Sequence, residues 1–436
     1  MALGGGTFLV QNKVLPGAYI NFVSLANATA TLSDRGFCTM PLDLDWGVEG
    51  EVFEVTAGDF QKNSMKIFAH AYMDEEMKGL RDLFLNAQVF FAYRLNTGGT
   101  RAENAYAKAK YNGTRGNDLR IIIQANVDDP ALYDVFTYMG IDRLDEQTVS
   151  SMADLEDNDF VIWKRSASLA LTASMPLSGG TNGSITGMSY QNYLDKIESY
   201  AFNTMGVVTT ETTIKTLFAS FCKRMRDEVG KKFQLVLYDY KKADYMGTIS
   251  LKNKVLDDGW SDASGVFWVT GASCGCPVNK SLQNRKYNGE FTFFIDYTQR
   301  ELEKAILSGE WTIHSVNGDP RVLDDINTMV TTTDTEGDVF KDNQTIRVID
   351  QIGNDIAVLF ATKYLGVYPN IESGRTALWS DIVKHHEELQ SINAIENFDE
   401  KDVVVTKGTT KKAVAVSDAV EVVNAMGKLY MTAYIS

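Results

Sequence analysis

Cysteine, histidine and proline are all scarce in this sequence. Four cysteines, four histidines and seven prolines occur among 436 residues. A zinc site normally needs four ligands with two-residue gaps between paired cysteines. Here the cysteines are scattered, and only the last two are close together: Cys38, Cys222, Cys274 and Cys276. We therefore predict buried, reduced thiols, and because the prolines do not cluster into a linker, we expect the parts of the chain to pack together.

The motifs of the commoner enzyme classes are also missing. The sequence contains no His-Glu-x-x-His, no Gly-x-Ser-x-Gly and no Walker-type Gly-Lys-Ser/Thr. His385 and His386 would point about 100° apart on a helix, so they cannot bind one metal ion from one face. His70 and His314 have no histidine or cysteine beside them. We predict solvated or core-edge histidines, no catalytic residue, no metal ion and no cofactor.

Positive charge is in deficit, with 42 Lys+Arg against 57 Asp+Glu and a formal net charge of −15. Proteins that wrap nucleic acid need clustered Lys and Arg, so we expect no nucleic-acid partner. No apolar run approaches the roughly 18 residues that a membrane-spanning helix needs. The start of the chain has neither the basic residues nor the apolar run of a secretory signal. These absences predict a product that is made and kept in a cytosol, or that leaves it by some other route, and that has no stable membrane insertion.

Two weaker patterns could bind ions but lack the supporting context. The turn at residues 113–117 precedes an apolar β run instead of opening a helix, so it does not predict a phosphate site. Neither of two acidic clusters has the Asp-x-Asp-x-Asp-Gly loop and closing Glu of a calcium site, and we predict solvated loops. These clusters are Asp154, Glu156, Asp157 and Asp159, and Asp334, Glu336 and Asp338.

What the sequence does contain is a hydrophobic content of 44%, enough for a sizeable core, arranged in alternating helical and strand patterns. Apolar steps of three and four residues follow Asp74 and predict a helix, and residues 89–93 then resemble a buried strand. A longer apolar stripe over residues 214–225 ends at Gly230, and a strand over 233–238 follows. Strands joined through a helix lie parallel, so these segments predict an α/β core.

The pattern changes between about residues 98 and 180, where glycine and asparagine turns separate short apolar strands. We predict an inserted, mostly β domain there, bounded by flexible glycine-rich hinges at 96–99 and 178–183. Beyond it, we predict a strand over 291–295 and helices over 343–364 and from the cap Ser373 to Leu389. Short apolar runs at both chain ends predict terminal strands with no partner nearby in the sequence.

Several segments, in order along nearly the whole chain, resemble the sheath proteins of contractile phage tails and phage-tail-like bacteriocins. They are residues 16–20 (PGAYI), 111–119 (YNGTRGNDL), 346–350 (IRVID), 364–370 (YLGVYPN), 374–375 (GR) and 425–430 (AMGKLY). The resemblance implies an α+β fold, with an α/β-type core of mixed sheet and flanking helices, an inserted β-rich outer domain and extended terminal strand arms. With the residue pattern it predicts an N-terminal arm at 1–22, core at 23–97, the insert at 98–180, core at 181–420 and a C-terminal arm at 421–436.

The resemblance further implies a structural, non-catalytic subunit that polymerises as stacked hexameric rings around an inner tube and contracts to drive the tube through a bacterial envelope. Its partners would be further copies of itself, the inner tube protein, and baseplate and tail terminator proteins. It would belong to a virion tail or tail-like particle assembled in the host cytoplasm. Whether the tail carries a genome or only punctures a competitor is left open.

The residues expected to join subunits lie in the two arms, and those expected to contact the tube lie on the helix that ends near Leu389. Strand addition between subunits is expected at Thr7, Phe8, Leu9 and Val10, and at Leu429, Tyr430, Met431, Thr432, Ala433, Tyr434 and Ile435. Tube contact is expected at Asp381, Glu387 and Glu388.

Two other functions stay as alternatives. One is a soluble α/β enzyme with an unrecognised active site, against which the missing nucleophile, metal ligands and phosphate loop count. The other is a self-assembling surface-layer protein, which the missing secretion signal does not support.

Overall fold

The computed structural model describes residues 32–435, and this part of the chain forms two compact units. The larger unit contains residues 34–350 and 424–435, and the smaller contains residues 32–33 and 351–423. The predicted N-terminal arm, with Thr7, Phe8, Leu9 and Val10, lies outside the described residues.

The larger unit begins with a stretch that the sequence patterns predict only in part. A side-chain cap starts its first helix, because the Thr56 hydroxyl accepts a hydrogen bond from the Asp59 N–H at 3.0 Å. A 3₁₀ turn at Glu75–Met77 precedes the second helix. The elements are β1 (Phe37–Leu42), β2 (Val52–Thr56), α1 (Ala57–Phe68), α2 (Lys78–Phe84) and β3 (Val89–Arg94).

The region between residues 98 and 180 is built from strands alone, apart from 3₁₀ turns. Its strands are β4 (Ala107–Ala109), β5 (Leu119–Ala125), β6 (Tyr133–Met139), β7 (Asp142–Val149), β8 (Val161–Trp163) and β9 (Thr172–Pro176). Four form an antiparallel sheet in the order β7-β6-β5-β9, and β4 pairs with β8. Alternate residues of β5 and β6 are buried, which gives this region an apolar core of its own.

Strands and helices alternate again after residue 183. They are α3 (Gly187–Ile197), β10 (Thr204–Gly206), α4 (Thr212–Arg224), β11 (Gln234–Tyr238), β12 (Thr248–Leu251), α5 (Val266–Gly275), α6 (Gln299–Leu307), β13 (Glu310–Trp311), β14 (Ile313–Val316) and β15 (Asp319–Val322). The apolar stripe of α4 is buried, including Cys222, and Gly230 ends the following π turn in the left-handed conformation, as predicted.

The core sheet of the larger unit has seven strands in the order β13-β12-β11-β10-β1-β3-β2. Every neighbouring pair is parallel except β2 with β3, so the sheet is mixed. One apolar cluster joins the sheet to α2 and α5, and another joins it to α3 and α4. Helix α5 packs closely against α2 at Gly271. A Cβ at this position would lie only 2.2 Å from the Leu83 carbonyl oxygen, so the absence of a side chain allows the close approach. The predicted α+β fold, with a mixed sheet, flanking helices and a β-rich domain, is confirmed.

The last part of the chain combines two helices with short strand pairs. Its elements are α7 (Asn343–Leu359), α8 (Glu372–Ser391), β16 (Ile395–Glu396), β17 (Val403–Lys407), β18 (Val414–Asp418) and β19 (Glu421–Val422). Helix α7 continues as a π turn at Phe360–Tyr364. In the smaller unit, β17 and β18 form an antiparallel hairpin packed against α8, and β16 pairs with β19.

Some local predictions are wrong. Residues 291–295 form no strand, because Phe293 makes only an isolated bridge with Val255. Ser373 lies inside α8, which starts at Glu372 without a side-chain cap. Residues 429–435 have no hydrogen-bonded partner within the described chain, so the strand predicted there, which is expected to pair with another subunit, stays a prediction.

The two glycine runs that bound the insert pair with each other instead of acting as separate hinges. Bridges join Thr97 to Ser184 and Thr100 to Thr181. A Cβ on Gly183 would meet the Thr97 carbonyl oxygen at 2.0 Å. Glycine is needed here for close approach of two backbones, so the predicted flexible hinges are replaced by a paired neck.

Candidate assembly interface

The C-terminal segment of the larger unit, residues 424–435, is exposed at every position and contains neither helix nor strand. Large apolar side chains with exposed fractions between 80% and 101% are concentrated in it. They are Met426, Leu429, Tyr430, Met431, Tyr434 and Ile435. Contiguous exposed apolar side chains of this kind mark an interaction site in a soluble protein.

Only the beginning of this segment is tied to the unit. The Ala425 N–H donates to Gln344 Oε1 at 3.0 Å, and the Thr345 hydroxyl donates to Asn424 Oδ1 at 3.2 Å. No hydrogen bond joins residues 429–435 to the rest of the described chain. The predicted arm residues Leu429 to Ile435 are therefore available to another molecule.

The β17–β18 hairpin of the smaller unit has open edges among the described strands. The Gly408 N–H donates to the Ala413 carbonyl at 2.8 Å, which makes these two a hydrogen-bonded pair. Because hydrogen-bonded and non-hydrogen-bonded pairs alternate along an antiparallel ladder, the pair Val405 with Val416 is non-hydrogen-bonded. The backbone N–H and C=O of Val416 thus point away from β17, towards the open edge.

The three acidic residues predicted to contact a tube do not form one free surface. The Asp381 carboxylate accepts hydrogen bonds from Lys363 Nζ at 2.6 Å and from the Tyr364 hydroxyl. Burial, reinforced by the Asp381 charge, raises the pKa of Tyr364. Glu388 is half-buried and accepts from the Leu32 N–H at 3.0 Å, while Glu387 is exposed about 100° further round α8.

The adjacent histidines of α8, predicted to be solvated or at the edge of the core, are both fully buried. His385 Nε2 lies 3.0 Å from Asp355 Oδ2, and His386 Nε2 lies 2.9 Å from Asp418 Oδ2. Burial disfavours the charge on Asp355, but the hydrogen bonds from His385 and Ser33 outweigh it and lower the pKa of that carboxyl. Both histidines therefore serve as hydrogen-bonded core residues.

Other residues considered for chemistry also have structural partners. The four cysteines are reduced and buried, and burial raises the pKa of Cys222 to about 12, which disfavours a thiolate nucleophile. Asp154 accepts from the Ser150 hydroxyl at 2.7 Å and from Ser151, and hydrogen bonding lowers its pKa. No helix in the described part is long and apolar enough to cross a membrane.

Three family models match successive parts of the chain. The phage tail sheath protein beta-sandwich domain matches residues 92–182, the central domain matches 183–328, and the C-terminal domain matches 335–436. In sequence, the chain is 29% identical over 471 residues to the phage-like element PBSX protein XkdK of Bacillus subtilis (strain 168), with 100% of both chains covered.

Solved structures of tail sheath proteins are also similar to this chain. A crystal structure of the sheath tail protein from Desulfitobacterium hafniense is similar with a TM-score of 0.82 and 35% identity, over 95% of this chain and 99% of that one. The helical sheath of the anti-feeding prophage in its contracted state shares the fold, with a TM-score of 0.56 and 13% identity over 96% of this chain and 99% of that one.

Proposed function

Because this chain belongs to the phage tail sheath protein family and is a subunit of a contractile tail sheath, we propose that its C-terminal segment links neighbouring subunits by strand addition. The observation that carries this proposal is the exposed apolar segment 429–435, which makes no hydrogen bond within the described chain. An extended segment without a partner satisfies its backbone by joining the edge of a sheet in another subunit.

Side-chain burial favours this docking as well. Burying a side chain such as Leu429 or Ile435 stabilises the joined state by about 1.5–3 kcal/mol relative to leaving it exposed. Apolar residues stand on both sides of an extended strand here, with Leu429 and Met431 alternating with Tyr430 and Tyr434. A strand that is apolar on both sides suits an environment covered on both faces.

The open edge of β18 is the acceptor that we propose. A two-stranded hairpin alone is marginally stable, so a third strand would strengthen it. The side chains of β18 are mostly exposed, whereas Val403 of β17 is buried against α8. The outward N–H and C=O of Val416 would hydrogen-bond the arriving strand.

Such links can persist while other contacts change. Backbone hydrogen bonds hold the join between subunits, and the surrounding interfaces can rearrange between an extended and a contracted lattice. The work of contraction would come from the new interfaces, so the subunit needs no catalytic residue. We propose that stacked hexameric rings of the subunit surround an inner tube and drive it through a bacterial envelope.

The remaining partners follow from that role. We propose the inner tube protein on the inside, with Glu387 as the exposed member of the acidic set, and baseplate and tail terminator proteins at the two ends. We also propose assembly in the host cytoplasm and a second strand arm at Thr7, Phe8, Leu9 and Val10. The exposed C-terminal segment supports only the self-association step.

A pair of proline variants tests the strand. Successive N–H groups of a strand point to opposite edges, so either Met431→Pro or Thr432→Pro removes an N–H that faces the acceptor. We expect at least one variant to melt within about 1 °C of the parent chain as a monomer yet to form no sheaths in negative-stain micrographs, since the lost hydrogen bond lies between subunits. Thr432→Val keeps both the N–H and the β-branched shape, so it should assemble normally.

The acceptor is tested in the same assay. Val416→Pro removes an outward N–H and should block assembly while the hairpin stays intact, whereas Ala415→Pro removes an inward N–H and should destabilise the hairpin itself.

Normal sheaths from both Met431→Pro and Thr432→Pro would refute strand addition by this segment. A loss of several kcal/mol in monomer stability would instead assign the segment to the subunit's own fold.

A further inference from the structure

His70 lies at the centre of a four-residue group in the larger unit, the His70 cluster, which consists of Asp45, His70, Asp74 and Glu76. Helix α1 ends at Phe68, and Ala69 adopts a left-handed conformation with φ of 57°, so the chain turns immediately before His70. Asp45 lies in the turn after β1, and the two other acids lie at the 3₁₀ turn before α2.

One ring nitrogen of His70 is held by a carboxylate. Nε2 lies 3.0 Å from Asp45 Oδ1 and 3.1 Å from Oδ2. An ionised carboxylate only accepts hydrogen bonds, so Nε2 carries the proton and donates it. In the neutral ring this leaves the lone pair on Nδ1.

The other ring nitrogen faces two more carboxylates without bonding to either. Nδ1 lies 3.8 Å from Asp74 Oδ2 and 3.7 Å from Glu76 Oε2, beyond hydrogen-bond distance. The side chain of His70 is only 7% exposed, and no residue in the described part of the chain forms a hydrogen bond with Nδ1.

The hydrogen bond from Nε2 to Asp45 is a feature that metal-binding histidines share. Metal-bound histidines typically donate the second ring N–H to a carboxylate, which orients the ring and raises its basicity. Asp45 has that position here. Asp74 Oδ2 also accepts the Ala71 N–H at 2.7 Å, which fixes the orientation of the second carboxylate.

We propose that the His70 cluster binds one divalent transition-metal ion, with zinc as the best fit. The ligand atoms of His70, Asp74 and Glu76 all lie within 4.8 Å of one another. Metal–ligand bonds of about 2.1 Å place tetrahedral ligands about 3.4 Å apart. The two distances from Nδ1, 3.8 and 3.7 Å, therefore need to close by about 0.3–0.4 Å, and the two carboxylates, which lie within 4.8 Å of each other, by at most about 1.4 Å. An imidazole ligand favours zinc over calcium or magnesium, and water would complete the coordination.

Zinc titration of the full chain tests the proposal, after purification with a chelator and its removal. We expect one zinc ion per chain by calorimetry and by competition with a chromophoric chelator, a rise in melting temperature, and a tetrahedral spectrum with cobalt in place of zinc. Glu76→Gln removes a ligand and Asp45→Asn removes the residue that orients His70. Each should weaken binding by about tenfold or more.

Glu75→Gln is the matched control, because it changes the charge of the same turn without touching the cluster. The Glu75 carboxylate faces Lys78 and Trp260, with Oε1 at 2.8 Å from Trp260 Nε1. Zinc affinity should therefore be unchanged in this variant. Variants are compared only where their melting temperatures without zinc match that of the parent chain. His70→Gln provides a second readout, because zinc should no longer raise its melting temperature. The absence of stoichiometric binding, or affinity that is unchanged by both Glu76→Gln and Asp74→Asn, would overturn the proposal.

Discussion

The ion pair between Asp325 and Arg347 is buried at both ends, with Nη2 at 2.5 Å from Oδ2. Burial alone would favour the neutral acid, but the Arg347 charge and the hydrogen bonds from Leu282 and Asn343 outweigh it and lower the pKa of Asp325. Removing one partner of such a pair leaves the other charge buried and uncompensated. The pair therefore fixes the start of α7 to the preceding loop.

We expect Asp325→Ala to lower the free energy of unfolding by about 3–5 kcal/mol, measured by urea denaturation. The control is Glu51→Ala, which removes the exposed partner of Lys196 and should cost less than about 1 kcal/mol. A loss below 1 kcal/mol in Asp325→Ala would show that Arg347 finds another partner or reaches solvent.

The pKa of Asp82 is shifted in the opposite direction to that of Asp325. Burial beneath Tyr287 and Glu290 raises its pKa to about 6 from 3.8, although hydrogen bonds from both residues work against the rise. Between these values the folded chain holds a proton that the unfolded chain has lost, so rising pH lowers stability there. Asp82→Asn lacks this proton uptake. Its stability relative to the parent chain should increase by about 2–3 kcal/mol from pH 4 to pH 7, whereas parallel pH profiles would contradict the assignment.

Single residues were predictable from the sequence where the neighbouring pattern determines their environment. Cys222 lies within a helical apolar stripe, and its burial is confirmed. The environments of His385 and His386 were not predictable, because their partners Asp355 and Asp418 lie about 30 residues away in sequence. The His70 cluster did leave a signal, since His70, Asp74 and Glu76 follow one another closely, but its orienting residue Asp45 is brought in by the fold.

At the scale of elements, apolar patterns predicted β3, α4 and β11, all of which are rich in buried apolar residues. They did not predict β1, which contains Pro41. That proline is tolerated because β10 pairs with β1 only at Cys38 and Thr39, leaving one side of Pro41 without a ladder partner. Whether a proline fits within a strand therefore depends on where the neighbouring strand ends, and that information is not present in the local sequence.

Helix α8 allows the proposed tube contact to be tested. Reversing Glu387 and Glu388 to Lys should weaken co-assembly with the tube protein roughly three- to tenfold at low salt, since attraction between opposite charges is screened beyond about 10 Å at 0.1 M salt. The affinity of the reversed chain should also depend less on salt. Asp381→Asn is the matched control, because Lys363 already pairs with that carboxylate. Tube binding that is equal in both variants at every salt concentration would place the contact elsewhere.

At the scale of the whole molecule, the insert is distinct from the core, but two buried residues from outside it, Trp46 and Ala69, belong to its apolar cluster. The two apolar clusters on the core sheet contain no residue from 98–180. Trp46, however, is fully buried within the insert's own cluster, with its ring 5.4 Å from that of Tyr111. The sequence predicted the change to a β-rich pattern in this region, but it did not predict that Trp46 would pack into the insert's core.

We expect removal of residues 100–180, with Gly99 joined to Thr181, to leave a core that folds but self-associates through the uncovered Trp46. Adding Trp46→Ser should restore a soluble monomer in size-exclusion chromatography with a cooperative thermal transition. The full-length Trp46→Ser chain serves as the control for the substitution alone. A core that stays insoluble with serine at this position would mean that the insert is needed for folding.

The exposed segment 424–435 has a consequence for the life of the subunit in the cell. Proteases bind their substrates as extended chain, and residues 429–435, which make no backbone hydrogen bond within the described chain, are open to them without any prior unfolding. Capture of the segment by a neighbouring subunit would remove this target. Incorporated subunits would then resist cleavage at this segment, whereas free subunits would not.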